Sequence, residues 1–408
     1  ARTEIKRRML AAADSSDDET SEADESSTDD TSTDSRTVVD DGPPKALGQG
    51  TVEVGPSAKF KTIAAALKHA RDNYEPRRLK SQLVIQVAGG KTYAERIVAD
   101  GSYPAGIRIV AKEGERPVLA PAGSEPIVKL DGVERFSIEG FDLNAQGKPA
   151  AVELAGYLTD CDIKDLSVNG FTKTGVLANG AVGVGVSDQE VRLEQIEFRA
   201  KDPKAVGVRI QQGNSDTAQL KIIECRFHGP LSVGILLQNS PAFITIRRSI
   251  FSEGETGIKF DGSNMQLKNI TIGNCTFFKL DRGVVFTGLP SDKSFGLMIT
   301  RNVFSDLKGV EAVVESDFDP KAMLFMFGGA AERATGSNWT SRPQPTAPAE
   351  GEFNIFSNNG HWETKTDFVS VDASSDRFLA PTAGAPWAGG LPEDAKTDLK
   401  SYSGAVSP

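Results

Sequence analysis

The sequence predicts an all-β protein, a right-handed, single-stranded parallel β-helix in which short strands stack as successive coils. Three observations support this prediction. A strand-like motif recurs along the chain, a second motif follows it at a similar offset each time, and segments rich in Gly, Asn, Asp and Ser separate the copies. Repeats of about 20 to 50 residues are typical of solenoids, and their strands would stack about 4.8 Å apart.

The first motif starts with an apolar residue, has Ile or Leu in most copies at its third position and ends in a Phe-like residue at its eighth. Its copies begin at residues 136, 161, 191, 220, 244, 270 and 297, which are 24 to 30 residues apart. Apolar and polar residues alternate within each copy, which is the period of a strand and not of a helix. Ile222, Ile246 and Ile272 are therefore predicted to lie directly above one another.

The second motif begins with glycine, as at Gly234 and Gly257, and follows the first by 13 to 16 residues. It predicts a further strand in each coil, and the segments between the motifs have turn composition. A leucine-rich repeat and a β-propeller fit less well, because the Leu-x-x-Leu-x-Leu-x-x-Asn pattern and the paired Gly-His and Trp-Asp marks are missing from the sequence.

The sixth position of the first motif is predicted to point into the core. Small polar residues there would form hydrogen bonds along the stack. Cys225 and Cys275 would lie two coils apart, beyond disulfide reach, so the three cysteines are predicted to be small core residues. The three histidines lack metal-ligand spacing, and no transition metal is expected. In chain order the sixth position holds Phe141, Leu166, Ile196, Cys225, Ser249, Cys275 and Asn302.

Most of the net charge of −10 comes from one segment. Residues 14–41 contain twelve Asp and Glu and a single Arg, with no aliphatic residue larger than Ala between residues 14 and 34, which predicts a disordered acidic tether. The remainder is nearly neutral and has no basic stripe, so no nucleic-acid partner is expected. No apolar run is long enough to span a membrane, and no signal peptide is present. A start at Ala1 suggests a processed product or part of a longer protein.

An N-terminal cap is predicted from two adjoining segments. Residues 58–73 form an amphipathic helix pattern with Phe60, Ile63, Ala64 and Leu67 on the apolar face, and residues 82–100 predict a strand, a glycine turn and a second strand. Together they resemble the cap of the pectin-lyase-like superfamily, in which a y-x-T-I-x-x-A helix precedes I-x-V-x-x-G-x-Y-x-E. The matching residues are Phe60, Thr62, Ile63, Ala66, Val84, Gly90, Tyr93 and Glu95.

The resemblance extends over about residues 51–315 and implies the β-helix fold. It does not imply an activity, because the superfamily includes lyases, hydrolases, esterases, adhesins and inactive proteins. The chain is predicted to comprise an acidic tether (1–50), a cap with the first coils (51–110), the β-helix coils (111–316) and a last coil with a covering tail (317–408). The tail resembles the closing segment of secreted bacterial β-helix proteins at Asp376, Phe378, Leu379, Pro381, Gly384, Ala385, Pro386 and Gly389.

The fifth position of the first motif supplies a candidate catalytic cluster, Asp165, Glu224 and Arg248, on an outward row. Lyases of the superfamily use Asp and Glu to hold Ca²⁺ while Lys or Arg abstracts a proton, and its hydrolases use paired carboxylates. The alternative is that these charges form surface pairs between neighbouring coils, worth about 0.2 to 1 kcal/mol each. No cofactor is predicted, except Ca²⁺ if the protein is a lyase.

A second outward surface is rich in amides and predicts a ligand-binding site. Amide and carboxylate groups repeated along the stack suit sugar hydroxyls, although turn composition alone explains the same residues. The predicted function is a non-catalytic module, outside the cytoplasm, that binds or senses a polysaccharide or cell-surface polymer. The alternatives are a polysaccharide lyase or glycoside hydrolase, and the C-terminal sensory part of a larger receptor such as a membrane-anchored bacterial kinase. The candidate ligand-binding residues are Gln211, Gln212, Gln238, Asn239 and Asp261.

Overall fold

The structure is a computed structural model of the 408-residue chain. It describes residues 50–74, 82–180, 190–212, 219–288, 295–300, 302–308, 312–314 and 355–357, together with residues 375 and 379. The predicted acidic tether, except Gly50, and most of the predicted C-terminal covering tail lie outside the described residues.

The described residues form one helix, α1 (Ile63–Asn73), and a long series of short strands. In chain order the strands are β1 (Gly50–Val54), β2 (Leu83–Val87), β3 (Thr92–Tyr93), β4 (Ile97–Asp100), β5 (Ile107–Ala111), β6 (Val118–Leu119), β7 (Val128–Asp131), β8 (Ser137–Glu139), β9 (Asp142–Asn144), β10 (Ala150–Ala155), β11 (Cys161–Asn169), β12 (Thr174–Asn179), β13 (Val191–Arg199), β14 (Val206–Gln212), β15 (Leu220–Ile223), β16 (Arg226–His228), β17 (Val233–Asn239), β18 (Ile244–Arg247), β19 (Ile250–Ser252), β20 (Thr256–Asp261), β21 (Lys268–Gly273), β22 (Thr276–Phe278), β23 (Arg282–Phe286), β24 (Phe295–Thr300), β25 (Val303–Ser305), β26 (Ala312–Val314) and β27 (Ile355–Ser357).

The strands stack in parallel as two sheets, one of 18 strands and one of nine among the described residues. A coil such as β15, β16 and β17 places its first two strands in the 18-stranded sheet and its third in the nine-stranded sheet. Ile222 pairs with Ile246, and Ile246 pairs with Ile272, as the repeat predicts. The parallel β-helix predicted from the sequence is therefore confirmed.

A column of phenylalanines and a column of glycines interlock inside the tube. The rings of Phe227 and Phe251 stack with their centroids 4.7 Å apart, and further rings continue the column on both sides. A Cβ on Gly234 would lie 2.6 Å from both Phe251 Cδ1 and the Gly257 carbonyl oxygen. The glycine that opens the second motif is thus required because the neighbouring coil leaves no room for a side chain.

The sixth motif position points inward, and its polar residues form hydrogen bonds along the stack as predicted. Ser249 Oγ accepts from the Cys225 amide at 3.2 Å and donates to the Arg247 carbonyl at 3.0 Å. Asn302 Oδ1 accepts from the Cys275 amide at 2.8 Å. All three cysteines are buried and unpaired, and burial raises the pKa of each thiol to about 12. The prediction that they are core residues is confirmed.

Helix α1 begins where two side chains bind its first amides. Thr62 Oγ1 accepts from Ala65 N at 3.1 Å, and the Glu95 carboxylate accepts from Ile63 N and Ala64 N at 2.9 Å each. These contacts give Thr62 and Glu95, two residues of the superfamily-like pattern, a role as N-terminal caps.

Three details of the predicted cap are wrong. The helix begins at Ile63 and not at residue 58, because Thr62 is its N-cap. Ala64 is exposed at the first turn, and the buried face is formed by Ile63, Ala66, Leu67 and Ala70. The segment 82–100 contains three strands, β2, β3 and β4, and not two.

No helix in the described ranges is long and apolar enough to cross a membrane.

Candidate functional site

The predicted catalytic residues lie at the same corner of the coils in the 18-stranded sheet, where Glu224 and Arg248 are between two strands and Asp165 is within β11. Asp165, Glu224 and Arg248 have φ angles of 50°, 56° and 49°, in the left-handed region. Gly140 and Asn274 share this geometry at the same motif position. The row is outward, as predicted, but the left-handed backbone was not foreseen. We call Asp165, Gln195, Glu224 and Arg248 the corner row.

Glu224 is held by its neighbours in the corner row. Arg248 Nε lies 2.8 Å from Glu224 Oε1, and Gln195 Nε2 donates to Glu224 Oε2 at 2.9 Å. Both carboxylate oxygens therefore have a partner within the row. The predicted contact between Glu224 and Arg248 in adjacent coils is present.

Asp165 has a different partner. Arg116 Nη1 donates to Asp165 Oδ1 at 2.9 Å, and Arg116 Nε donates to Asp142 Oδ1 at 2.5 Å. Burial lowers the pKa of Arg116, but the hydrogen bonds and charges of Asp165 and Asp142 outweigh this effect and raise it. Gln195 lies in the coil between Asp165 and Glu224, so the three predicted residues form two separate ion-paired groups.

A neighbouring row of charges is also paired, through a carboxylate that lies outside the row. Asp162, Arg192 and Lys221 stack in register, and the nearly buried Glu190 forms ion pairs with both Arg192 and Lys221. Sequence reasoning missed Arg116 and Glu190, because both lie outside the repeated motif.

The predicted ligand-binding residues form a hydrogen-bonded row on the nine-stranded sheet. Gln211, Gln238 and Asp261 stack in register on β14, β17 and β20. Gln211 Nε2 donates to Gln238 Oε1 at 3.1 Å, and Gln238 Nε2 donates to Asp261 Oδ2 at 3.0 Å. Asn179 precedes Gln211 in the same register and is exposed. We call Asn179, Gln211, Gln238 and Asp261 the amide row.

The other two predicted ligand-binding residues lie at the strand end next to the amide row. The backbones of Gln212 and Asn239 pair in register. Asn239 is exposed and has a φ of 65°, so the strand turns away at this point.

Asp261 closes the amide row at a cluster of further polar contacts. Thr287 Oγ1 donates to Asp261 Oδ1 at 3.3 Å and accepts from Gly262 N at 3.0 Å. Lys259 Nζ lies 3.7 Å from Asp261 Oδ1. Thr287 follows β23 directly, one coil beyond Asp261, and the repeat of the second motif could have identified it.

The corner row and the amide row lie on different sheets, so the structure does not bring the two predicted sites together. In the part of the chain that the structure describes, no three His, Cys, Asp or Glu side chains converge as metal ligands would. The ion pairs of the corner row make it a source of paired charges. The amide row can supply hydrogen-bond donors along an extended line.

Comparison with known proteins supports the fold. The family model described as "Right handed beta helix region" matches residues 204–316. No curated protein matches the chain in sequence.

One solved structure gives the same result over most of the chain. Pectate lyase Pel9A aligns over 88% of this chain and 96% of its own, with 15% identity and a TM-score of 0.51. Two others align less well: ORF18 of Geobacillus virus E2 (62% of this chain and 58% of its own, 13% identity, TM-score 0.34) and pectin methylesterase from Aspergillus niger (72% and 98%, 13%, TM-score 0.31). The chain therefore has the pectin-lyase-like, right-handed parallel β-helix fold that its sequence predicts.

Proposed function

We propose that the chain binds a polysaccharide along the amide row without transforming it. The observation that carries this proposal is the in-register row of Asn179, Gln211, Gln238 and Asp261, in which the last three side chains are joined by hydrogen bonds. Such a row repeats the same chemistry at each coil, about every 4.8 Å, which suits a polymer that repeats its own hydroxyl groups.

The amides are also oriented before a ligand arrives. Each glutamine uses one N–H of its amide to reach the next coil, and no hydrogen bond seen among the described residues uses the second N–H, which can serve a ligand. Hydrogen bonding along the row fixes the side-chain rotamers, and fixed side chains lose less conformational entropy on binding. A preorganised line of donors is expected to bind sugar oxygens more tightly than free glutamines would.

Catalysis at the corner row has less support. Both oxygens of Glu224 are engaged by Arg248 and Gln195, and Asp165 is paired with Arg116. A general acid or base must reach its substrate, so these ion pairs would have to open first. A lyase or hydrolase remains the second candidate, on the strength of the fold that the chain shares with pectate lyase Pel9A.

The proposal places the protein outside the cytoplasm, at the cell surface, in the periplasm or in the medium, where polymeric glycans are encountered. A sensory role within a larger receptor is compatible with the same binding face, since a sensor of this kind would also have to bind the polysaccharide.

Affinity electrophoresis through gels containing single polysaccharides tests the proposal. The wild-type chain should be retarded by at least one polymer. The double variant Gln211→Ala, Gln238→Ala should bind about tenfold more weakly, since two hydrogen bonds of about 0.5 to 1.5 kcal/mol are lost. The control variant Gln86→Ala removes an amide from the other sheet and should bind normally.

Product analysis on the same polymers separates binding from turnover. No new reducing ends and no unsaturated products are expected. Release of either product, abolished by Glu224→Gln, would contradict the proposal and establish the second candidate.

A further inference from the structure

The charge along the face that carries the amide row restricts its ligand. Counting back from Asn179, the row continues through Ala155 to Asp131 and Asp100. Both aspartates are exposed, and hydrogen bonds from the Ser102 hydroxyl and amide lower the pKa of Asp100. An uncharged stretch of four coils is thus bounded by Asp131 on one side and by Asp261 on the other.

The parallel outward row on the same sheet does not reverse this charge. It holds Lys129, Glu153, Arg209 and Lys259, which come two residues before Asp131, Ala155, Gln211 and Asp261. Lys129 Nζ lies 3.1 Å from Glu153 Oε1, and Lys259 pairs with Asp261. Within the described residues, the two rows hold four carboxylates, on Asp100, Asp131, Glu153 and Asp261, against three cations, so this face has no excess of positive charge to bind a polyanion.

Asp261 also fixes the direction of the two hydrogen bonds along the row. An ionised carboxylate accepts and cannot donate, so Gln238 must turn its Nε2 toward Asp261 and its Oε1 toward Gln211. Gln211 must then donate its own Nε2 to Gln238. The remaining N–H groups of both amides are donors, and they suit the hydroxyl and ring oxygens of a sugar.

We infer that the amide row binds an uncharged, hydroxyl-bearing glycan and discriminates against polyuronates, because Asp100, Asp131 and Asp261 lie along the line that the polymer would follow. This inference rests on the proposed function and deepens it. The uncharged stretch supplies the contacts, and the flanking carboxylates repel an acidic chain.

The test compares neutral and acidic polymers on the whole chain. Binding to xylan, mannan, galactan and β-glucan is measured beside polygalacturonate and alginate, at about 20 and 300 mM NaCl, where screening differs strongly. At least one neutral polymer should bind at least about tenfold more tightly than either polyuronate. Its affinity should change less than about twofold with salt.

A charge variant identifies the cause of the discrimination. Asp131→Lys should gain binding to polygalacturonate, and the gain should disappear at high salt. Glu113→Lys makes the same change of charge at an exposed residue between β5 and β6, on the other sheet, and should gain none. Equal thermal midpoints of the variants and the wild type would show that both fold.

The outcomes separate the two proposals. Salt-sensitive binding of the wild type to a polyuronate, with none to the neutral polymers, overturns the inference and leaves the proposed function standing. An equal gain for Asp131→Lys and Glu113→Lys also overturns it, because net charge and not the row would then be responsible. Binding to neither class contradicts the proposed function and the inference together.

Discussion

The corner row and the amide row are both outward stacks of polar side chains, yet different demands shaped them. At the corner, the backbone of Asp165, Glu224 and Arg248 adopts positive φ angles, and the side chains neutralise one another or a neighbour. In the amide row, Gln211 and Gln238 lie in extended strands, and their side chains form a directed chain toward Asp261.

The difference shows that conspicuous charge on a solenoid surface is a poor guide to a site. Ion pairs between adjacent coils are an ordinary means of accommodating charges on stacked strands. A row of neutral amides can also align through hydrogen bonds between coils, but these bonds leave donors that a ligand can use. The amide row is therefore the better candidate for a ligand.

Removal of a core ring should have the largest effect, because both rows depend on the stacking of the coils. Phe251 is buried between Phe227 and Phe277, with ring centroids 4.7 and 4.9 Å away. Phe251→Ala is expected to lower the free energy of unfolding by about 3 to 5 kcal/mol, measured by urea denaturation. Val98→Ala, at a residue 41% exposed, is the control and should change it little. Equal decreases in the free energy of unfolding for Phe251→Ala and Val98→Ala would contradict the claim that the stacked core rings stabilise both rows.

His228 belongs to a third outward row of stacked residues and shows that an outward position does not by itself expose a side chain to solvent. His228 stacks between Arg199 and Ser252, but it is buried, and its Nδ1 lies 2.8 Å from Ser252 Oγ. Burial lowers the pKa of His228 from 6.5 to about 4, although the nearby Glu197 opposes the shift. Between these values the unfolded chain binds more protons than the folded one. The contribution of His228 to the free energy of unfolding is therefore fully present above pH 6.5 and is lost as the pH falls toward 4.

The loss from His228 amounts to about 3 kcal/mol at most. Urea midpoints at pH 7 and pH 4.5 measure it, and His228→Gln should lose less stability over this interval than the wild type. His69→Gln, at a partly exposed histidine of the cap, is the control and should follow the wild type. Identical pH dependence of all three proteins would refute the assignment to His228.

The sequence predicted the stacking well because the repeat specifies register. Ile222, Ile246 and Ile272 pair as expected, and Ser249 and Asn302 are satisfied inside the tube. Side-chain alternation with a period of two carries this information, since a slip of one residue would expose the whole core face.

The partners of the predicted site residues could not be predicted in the same way. Arg116 and Glu190 come from segments outside the motif, whose paths are not periodic. The left-handed corner was indicated in the sequence only by Gly140, Asp165 and Asn274, because Gln, Glu and Arg fill the other copies. Such residues rarely adopt positive φ angles, and a charged residue there is more easily interpreted as functional.

A glycine and alanine comparison distinguishes the two rows by their backbones. Both Glu224→Gly and Glu224→Ala remove the ion pair, but only glycine adopts a positive φ without strain. The Glu224→Gly variant should therefore have a higher free energy of unfolding than Glu224→Ala, by about 0.5 to 1 kcal/mol. At Gln211, in an extended strand, alanine should be the more stable by a similar amount. If the glycine and alanine variants had the same order of stability at residues 224 and 211, the left-handed backbone would not be what distinguishes the corner row.

The smallest effect concerns the ion pair between Glu224 and Arg248. A double-mutant cycle with Glu224→Gln and Arg248→Met should give a coupling energy of about 0.2 to 1 kcal/mol, because both side chains are in contact with solvent. The coupling should shrink in 1 M NaCl, where the screening length is about 3 Å. The pair Arg108 and Glu139, 2.9 Å apart on the same sheet, is the matched control. A coupling several times larger than that of the control would show that the corner holds its charges in a preorganised, desolvated arrangement, which is a property of catalytic sites and not of surface pairs.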